Sequence, residues 1–221
     1  MNTKRVKTGT EPRRLAASGA GLRKAIVTHA WKQISARGAP SLSLRAIART
    51  LGITAPAIYN YFHRRDDLVT ALILDAYEAF GASQRAAFAS TAGSDLPGRL
   101  AGLGHAYRAW AVANPERYQL MFGAPYPGYR VPLDLVSPAG SRALEPLVEV
   151  LEQARRAGRL ALPAGTGADT GVPFAAVSVW TRVHGLVSVE LSGQYPPFVR
   201  DPAAFYRDEL TALVRSTIEG G

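Results

Sequence analysis

Apolar residues recur at helical spacing in block after block along this chain. From about Gly21 to Arg37, Leu22, Ile26, Ala30 and Ile34 fall every four residues, with Val27 and Trp31 widening the stripe. That pattern predicts an amphipathic helix, ended by Gly38, Ala39 and Pro40. Leu44, Ile47, Ala48 and Leu51 share one face of a second, shorter helix with Ser43 as its cap and Gly52 as its stop. Thr54 is a good N-cap for a third helix, and Pro56 is tolerated in its first turn, where amides have no intrahelical partner. Ile58 and Phe62, four apart, anchor that helix inward and leave Ala55, Ala57, Tyr59, Asn60 and Tyr61 to face elsewhere. Three helices, the last two joined by a tight glycine turn, predict a helix-turn-helix head.

Past Phe62 the periodic blocks become longer. Asp66 and Asp67 suit the positive end of a helix that carries Leu68, Leu72, Ala76, Tyr77 and Phe80 and connects the head to the rest of the chain. Small residues from Ser90 to Ser94 predict a loop, and Asp95 with Pro97 opens a helix carrying Leu100, Leu103, Tyr107, Trp110 and Ala111. Asn114-Pro115 breaks that helix, and a short segment around Tyr118 to Phe122 follows. The run from Gly123 to Pro138 is rich enough in Pro and Gly to predict an irregular loop. Ser141 to Ala157 contains Leu144, Leu147, Val148 and Leu151, with Gly158 as its stop, and Leu162 to Thr170 reads as a second loop. From Pro173 to Leu191 almost every residue is apolar or small, which predicts a helix buried on several sides. Asp201-Pro202 then caps a last helix carrying Phe205, Tyr206, Leu210, Leu213, Val214 and Ile218. No strand pattern competes with these periods. The expected fold is all-α, with about nine helices: a disordered basic arm over 1–18, a helix-turn-helix head over 19–65 and a helical body over 66–221.

Charge adds a direction to this picture. The net charge is +9, yet residues 1–65 hold 13 Lys or Arg against one acid, Glu11, while residues 66–221 hold 13 Arg against 16 acids. The whole basic excess therefore belongs to the arm and head. A concentrated positive field attracts a polyanion through counterion release. A solubilising face accounts for the charge alone equally well, but coincidence with the helix-turn-helix pattern turns the reading toward nucleic acid. The arm follows the same field and is equally well a loose terminus or a groove-tracking extension.

Composition excludes several alternatives. With no Cys, disulfides and thiolate metal sites are ruled out. The four histidines, His29, His63, His105 and His184, are not at metal-pair spacing, and no catalytic or phosphate-loop signature is present, so no catalytic residue, metal or cofactor is expected. No apolar run approaches the roughly 18 to 20 residues of a membrane span. A cytoplasmic location with no membrane partner is the expectation.

Ser43 to Leu68 resembles the head of the TetR/AcrR family of bacterial transcriptional regulators. The matching residues are Ser43, Ile47-Ala48, Gly52-Ile53-Thr54, the run Ile58-Tyr59-Asn60-Tyr61-Phe62, and then Arg65 and Leu68. The likeness covers roughly residues 20 to 70 and is specific, because several fixed offsets agree at once. Trp180-x-x-x-His184-Gly185 also resembles the signature of a C-terminal domain type found within that family. One position departs: two residues after Phe62 the family usually has Ser or a similar cap, and here Arg64 stands. The expectation is that Asp66 supplies the cap instead.

The resemblance implies a homodimer, joined through the last two helices, that binds a double-stranded DNA operator and carries an apolar pocket for a small-molecule inducer in each body. Two recognition helices roughly 34 to 36 Å apart read successive major grooves, so the operator is expected to be a near-palindrome. Under this reading Ser43, Arg45, Thr54, Tyr61, His63 and Arg65 are candidates for phosphate contacts. Ala55, Pro56, Ala57, Tyr59 and Asn60 are candidates for base edges. A constitutive or architectural DNA-binding protein whose body only dimerises is the alternative.

In the body, Tyr107, Trp110, Met121, Phe122 and Tyr126 form one candidate lining for a ligand site, and ordinary core packing accounts for them equally. Trp180 and His184 stand four apart on one helix face. They read either as a pocket pair that stacks on and hydrogen-bonds a ligand or as a packed Trp beside a satisfied His.

Overall fold

The local signals for the first three helices are realised almost residue for residue. In a computed structural model that describes residues 19–162 and 168–218, α1 spans Gly19–Arg37, α2 Leu44–Leu51 and α3 Ala55–Tyr59, with a short 3₁₀ turn at Ala39–Ser41. The expected arm over 1–18 and the centre of the 162–170 loop lie outside the described residues. Ser43 Oγ accepts from the Ala46 amide, and Thr54 Oγ1 accepts from the Ala57 amide, so each helix has one of its orphan donors capped. Gly52 ends α2 with φ of 68°, a left-handed conformation that costs a residue with a Cβ more than it costs glycine.

Six further helices follow. They are α4 (Arg65–Ser90), α5 (Leu96–Ala113), α6 (Pro115–Phe122), α7 (Leu133–Arg156), α8 (Ala168–Leu191) and α9 (Pro202–Thr217). Among the described residues there is no strand, only one isolated bridge between Leu160 and Ile218. The fold is all-α.

Four expectations are corrected here. Asp66 does not cap α4; Asp67, at the third helical position, accepts from the Arg64 amide at 2.9 Å, the returning half of a capping box. The loop expected over 123–138 ends early, because α7 starts at Leu133 and carries Pro138 and Pro146 inside it. The last apolar helix is not buried on several sides: Val172, Ala176, Val179, Val183 and Val187 are buried, but Phe174 and Val177 are 49% and 58% exposed. Its stretch Gly171–Leu191 is also long and apolar enough by composition to cross a membrane, contrary to the expectation that no run is. Its packing against α5, α7 and α9 makes it a helix of the body's core.

The chain divides into two compact units, Met1–Asp75 with Gln119–Pro132, and Ala76–Tyr118 with Leu133–Gly221. The division falls inside α4 and not before it, and it gives the 119–132 segment to the first unit. Ile26, Ile47, Ile58, Phe62, Leu68 and Leu72 fill the first core. In the second, α5 packs with α7, α8 and α9 around Leu100, Leu151, Tyr206, Leu210 and Leu213.

Candidate functional site

The first unit presents its polar chemistry on short, well-capped helices. Ala55, Pro56 and Asn60 are exposed, Ala57, Tyr59 and Tyr61 are half-buried, and only Ile58 and Phe62 are committed to the core. The start of α3 thus offers a small apolar surface beside an amide and two phenols, a composition suited to thymine methyls and base edges. Ser43 spends its side chain on the cap of α2, and its own amide donates to Gln33 Oε1 at 3.0 Å. Arg45 and His63 are exposed.

A groove of about 360 Å³ lies beside the N-terminus of α2, lined by His29, Lys32, Arg37, Ser41, Ser43 and Thr50 among others. Lys32, Arg37 and Arg49 are exposed cations that the motif-based reading did not name. Their signal was present in the positive face of α1 and the last turn of α2. The family motif drew attention to residues after Gly52 instead.

Arg65 has a different task from the phosphate contact expected of it. Its Nη2 donates to the Ala39 carbonyl at 2.7 Å, and its guanidinium lies 4.1 Å from the centroid of the Tyr126 ring. The Tyr126 hydroxyl donates to Asp66 Oδ1, while the Tyr129 and Thr70 hydroxyls are 2.9 Å apart. Burial, and secondarily the Asp66 carboxylate, hold the Tyr126 phenol above its ordinary pKa, so it stays a donor. Tyr126, expected to line a ligand site in the body, instead ties the 119–132 segment to the start of α4 within the first unit. Met121 and Phe122 belong to that unit as well.

Of the remaining ligand candidates, the second unit brings Tyr107 and Trp180 to one cavity of about 30 Å³, with Gln84, Leu103, Leu147 and Val183 also in its wall. Trp110 is not in that wall and packs edge-on against Phe80, with centroids 5.2 Å apart. His184 is held in a polar network: its Nδ1 is 2.8 Å from the Tyr118 hydroxyl and 3.1 Å from the Tyr107 hydroxyl, and its Nε2 is 3.3 Å from Ser188 Oγ. Trp180 and Tyr118 each stack on the imidazole at an interplanar angle of 27°. Burial lowers the His184 pKa, which favours a neutral ring whose Nδ1 lone pair can accept from the nearer phenol, Tyr118. Trp180 therefore faces the cavity while His184 is satisfied behind it.

Comparison with known proteins decides the lineage. A profile described as "Bacterial regulatory proteins, tetR family" matches residues 26–72, and one described as "Tetracyclin repressor-like, C-terminal domain" matches residues 100–213. The chain belongs to the TetR family. It is 30% identical over 208 residues to an HTH-type transcriptional regulator of Mycobacterium bovis, covering 86% of this chain and 89% of the relative. A solved regulatory protein, SCO4313, is 37% identical with a TM-score of 0.72, covering 93% of this chain and 98% of that one. FadR of Bacillus subtilis, solved in complex with stearoyl-CoA, shares the fold at 16% identity and a TM-score of 0.66, over 87% of this chain and 98% of its own. TetR-family membership makes the chain a DNA-binding transcriptional regulator, with the helix-turn-helix of the first unit as its DNA-binding part.

Proposed function

We propose that this TetR-family protein is a ligand-responsive repressor that binds a near-palindromic operator as a homodimer and leaves it when a small molecule occupies the body. The observation that carries the reading is the surface of the first unit. Tyr59, Asn60 and the apolar start of α3 are accessible, and Arg45, Arg49, Lys32 and Arg37 supply positive charge around α2. Phosphate contacts from the cations set register, and the α3 side chains read bases. Ser43, Thr54, Tyr61 and His63 complete the phosphate set; Arg65 holds its neighbours in place.

Ligand control follows if the small molecule binds better to a body conformation in which the paired heads are wrongly spaced, which depletes the operator-competent population. The alternative of a constitutive binder predicts a body packed solid with every buried polar group satisfied. The cavity beside Tyr107 and Trp180 has room for about one water, so support for the ligand-responsive reading comes from the match of the body to the tetracyclin repressor-like C-terminal domain.

Operator selected from random duplexes and titrated against the full-length protein at several salt concentrations is the test. Each neutralised phosphate contributes about −0.9 to the slope of log K against log salt. A slope steeper than about −3 is expected, and a slope near zero would remove the DNA-binding assignment from this surface.

A further inference from the structure

Lys4, Arg5, Lys7, Arg13 and Arg14 stand in the first 18 positions against a single acid, Glu11. The arm they form lies outside the described residues, but its point of attachment does not. α1 begins at Gly19, and a Cβ placed there would lie 3.7 Å from the Tyr61 hydroxyl oxygen and 4.0 Å from Tyr61 Cε1. One turn further on, the Arg23 guanidinium stands 5.1 Å from the centroid of the Phe62 ring. Tyr61 and Phe62 follow α3 directly. The arm therefore leaves the head beside the end of the helix assigned to the bases, next to a phenol assigned to phosphate, with Arg23 and Lys24 exposed at its root.

That point of departure restricts what the charges of the arm can meet. Residues 19–65 carry eight Lys or Arg and no acid, so the nearest protein surface repels the arm over a Debye length of roughly 10 Å at 0.1 M salt. Apolar burial does not offset this repulsion, because Met1, Val6 and Leu15 are the large apolar side chains of the arm and they fall at no helical or strand period. Duplex DNA changes the balance, since it presents a negative charge about every 1.7 Å of its axis. Arg14 and Arg13 are five and six residues from Gly19, a reach of up to roughly 20 Å, and Lys7, Arg5 and Lys4 extend it to roughly 50 Å. With the head docked, these contacts form within one complex, so tethering gives the arm a high effective concentration at the phosphates around its root.

The geometry points to a second DNA-binding element: residues 1–18 neutralise backbone phosphates beyond those met by the helix-turn-helix. The arm adds affinity and lengthens the footprint without changing which bases are read, because phosphate contacts hold register but carry no sequence information. This rests on the DNA-binding role of the head and gives its operator complex a further set of contacts.

The test compares the full-length wild type with a full-length variant carrying Lys4→Gln, Arg5→Gln, Lys7→Gln, Arg13→Gln and Arg14→Gln together. Both are taken through selection from random duplexes, salt titration on the selected operator, phosphate-ethylation interference and thermal melts. The variant is expected to select the same operator and to melt at the same temperature. Its slope of log K against log salt should be shallower by about 0.9 for each phosphate lost, hence by at least about 1.8 for one phosphate on each arm of a dimer. Ethylation should reveal phosphates that matter to the wild type and not to the variant, beside a set that both share.

Equal slopes with equal interference patterns would overturn the inference, and a lower melting temperature of the variant in that case would assign the arm to the acidic body of its own chain. A different operator selected by the variant would overturn it too, since the arm would then be reading bases. A variant slope that stays steeper than about −3 keeps the assignment of the head whatever the arm does, whereas slopes near zero in both proteins would remove head and arm together.

Discussion

Neighbouring residues in this chain divide labour according to which face of a helix they occupy. Ile58 is fully buried while Tyr59 beside it is not, so adjacent positions on α3 serve core and surface. His184 shows the same division within one site: its ring is sandwiched between Trp180 and Tyr118, and its nitrogens face hydroxyls and not a free space. Burial lowers its pKa below the ordinary 6.5, so the unfolded chain binds more protons than the folded one in the interval between the two values. Stability from this group is therefore complete above about pH 6.5 and is lost as the pH falls from there toward the folded-state pKa. Thermal melts at about pH 7.5 and about pH 5.5 should show a drop at the lower pH, and His184→Gln should reduce that drop while lowering both melting temperatures. An equal drop in His184→Gln would place the acid sensitivity elsewhere.

At the scale of elements, the start of α4 gathers the consequences of Arg64 standing where the family usually has a cap. Asp67 returns to the Arg64 amide, which releases Asp66 to accept from Tyr126, and Arg65 stacks on that same phenol while holding the Ala39 carbonyl. Arg65 is thereby a positioning residue and Arg45 an exposed cation, and one experiment separates them. Arg65→Ala should lower the melting temperature and leave the salt slope of operator binding unchanged. Arg45→Ala should leave the melt unchanged and make the slope shallower by about 0.9.

The caps at Ser43, Thr54, Asp95 and Asp201 were legible because each is a local event, a side chain meeting an amide two or three residues on. The start of α7 was not, because Pro138 and its neighbours argue locally against a helix. What holds it is burial of Val136, Ala139 and Ala143 in the second unit, a tertiary contribution that composition cannot announce. The clasp of Tyr126 on Asp66 escaped for the same reason, since it joins residues 60 positions apart.

For the whole molecule the open question is what covers the outer faces of α8 and α9. Val177 on α8 is 58% exposed, Phe174 one turn before it is 49% exposed, and Phe205 on α9 is also accessible, while Val179, Val183 and Val187 face the core. A helix apolar on both faces leaves surface in water that a lone chain gains nothing by exposing, and burying such side chains returns about 25 cal/mol per Å² of apolar area. In the proposed homodimer a second copy pairing through α8 and α9 would cover this face, and its two heads would each read one half-site of the near-palindromic operator. Phe174→Glu with Val177→Glu places two carboxylates per protomer in that contact, where like charges oppose each other across the two-fold axis. Sedimentation equilibrium should give a dimer for the wild type and a monomer for the double variant. Both sites are exposed, so the variant's helical circular dichroism should be unchanged. Operator affinity should fall by orders of magnitude, because each head then binds its half-site without the other. A double variant that remains dimeric would move the interface to another face of the body and with it the spacing on which the palindrome rests.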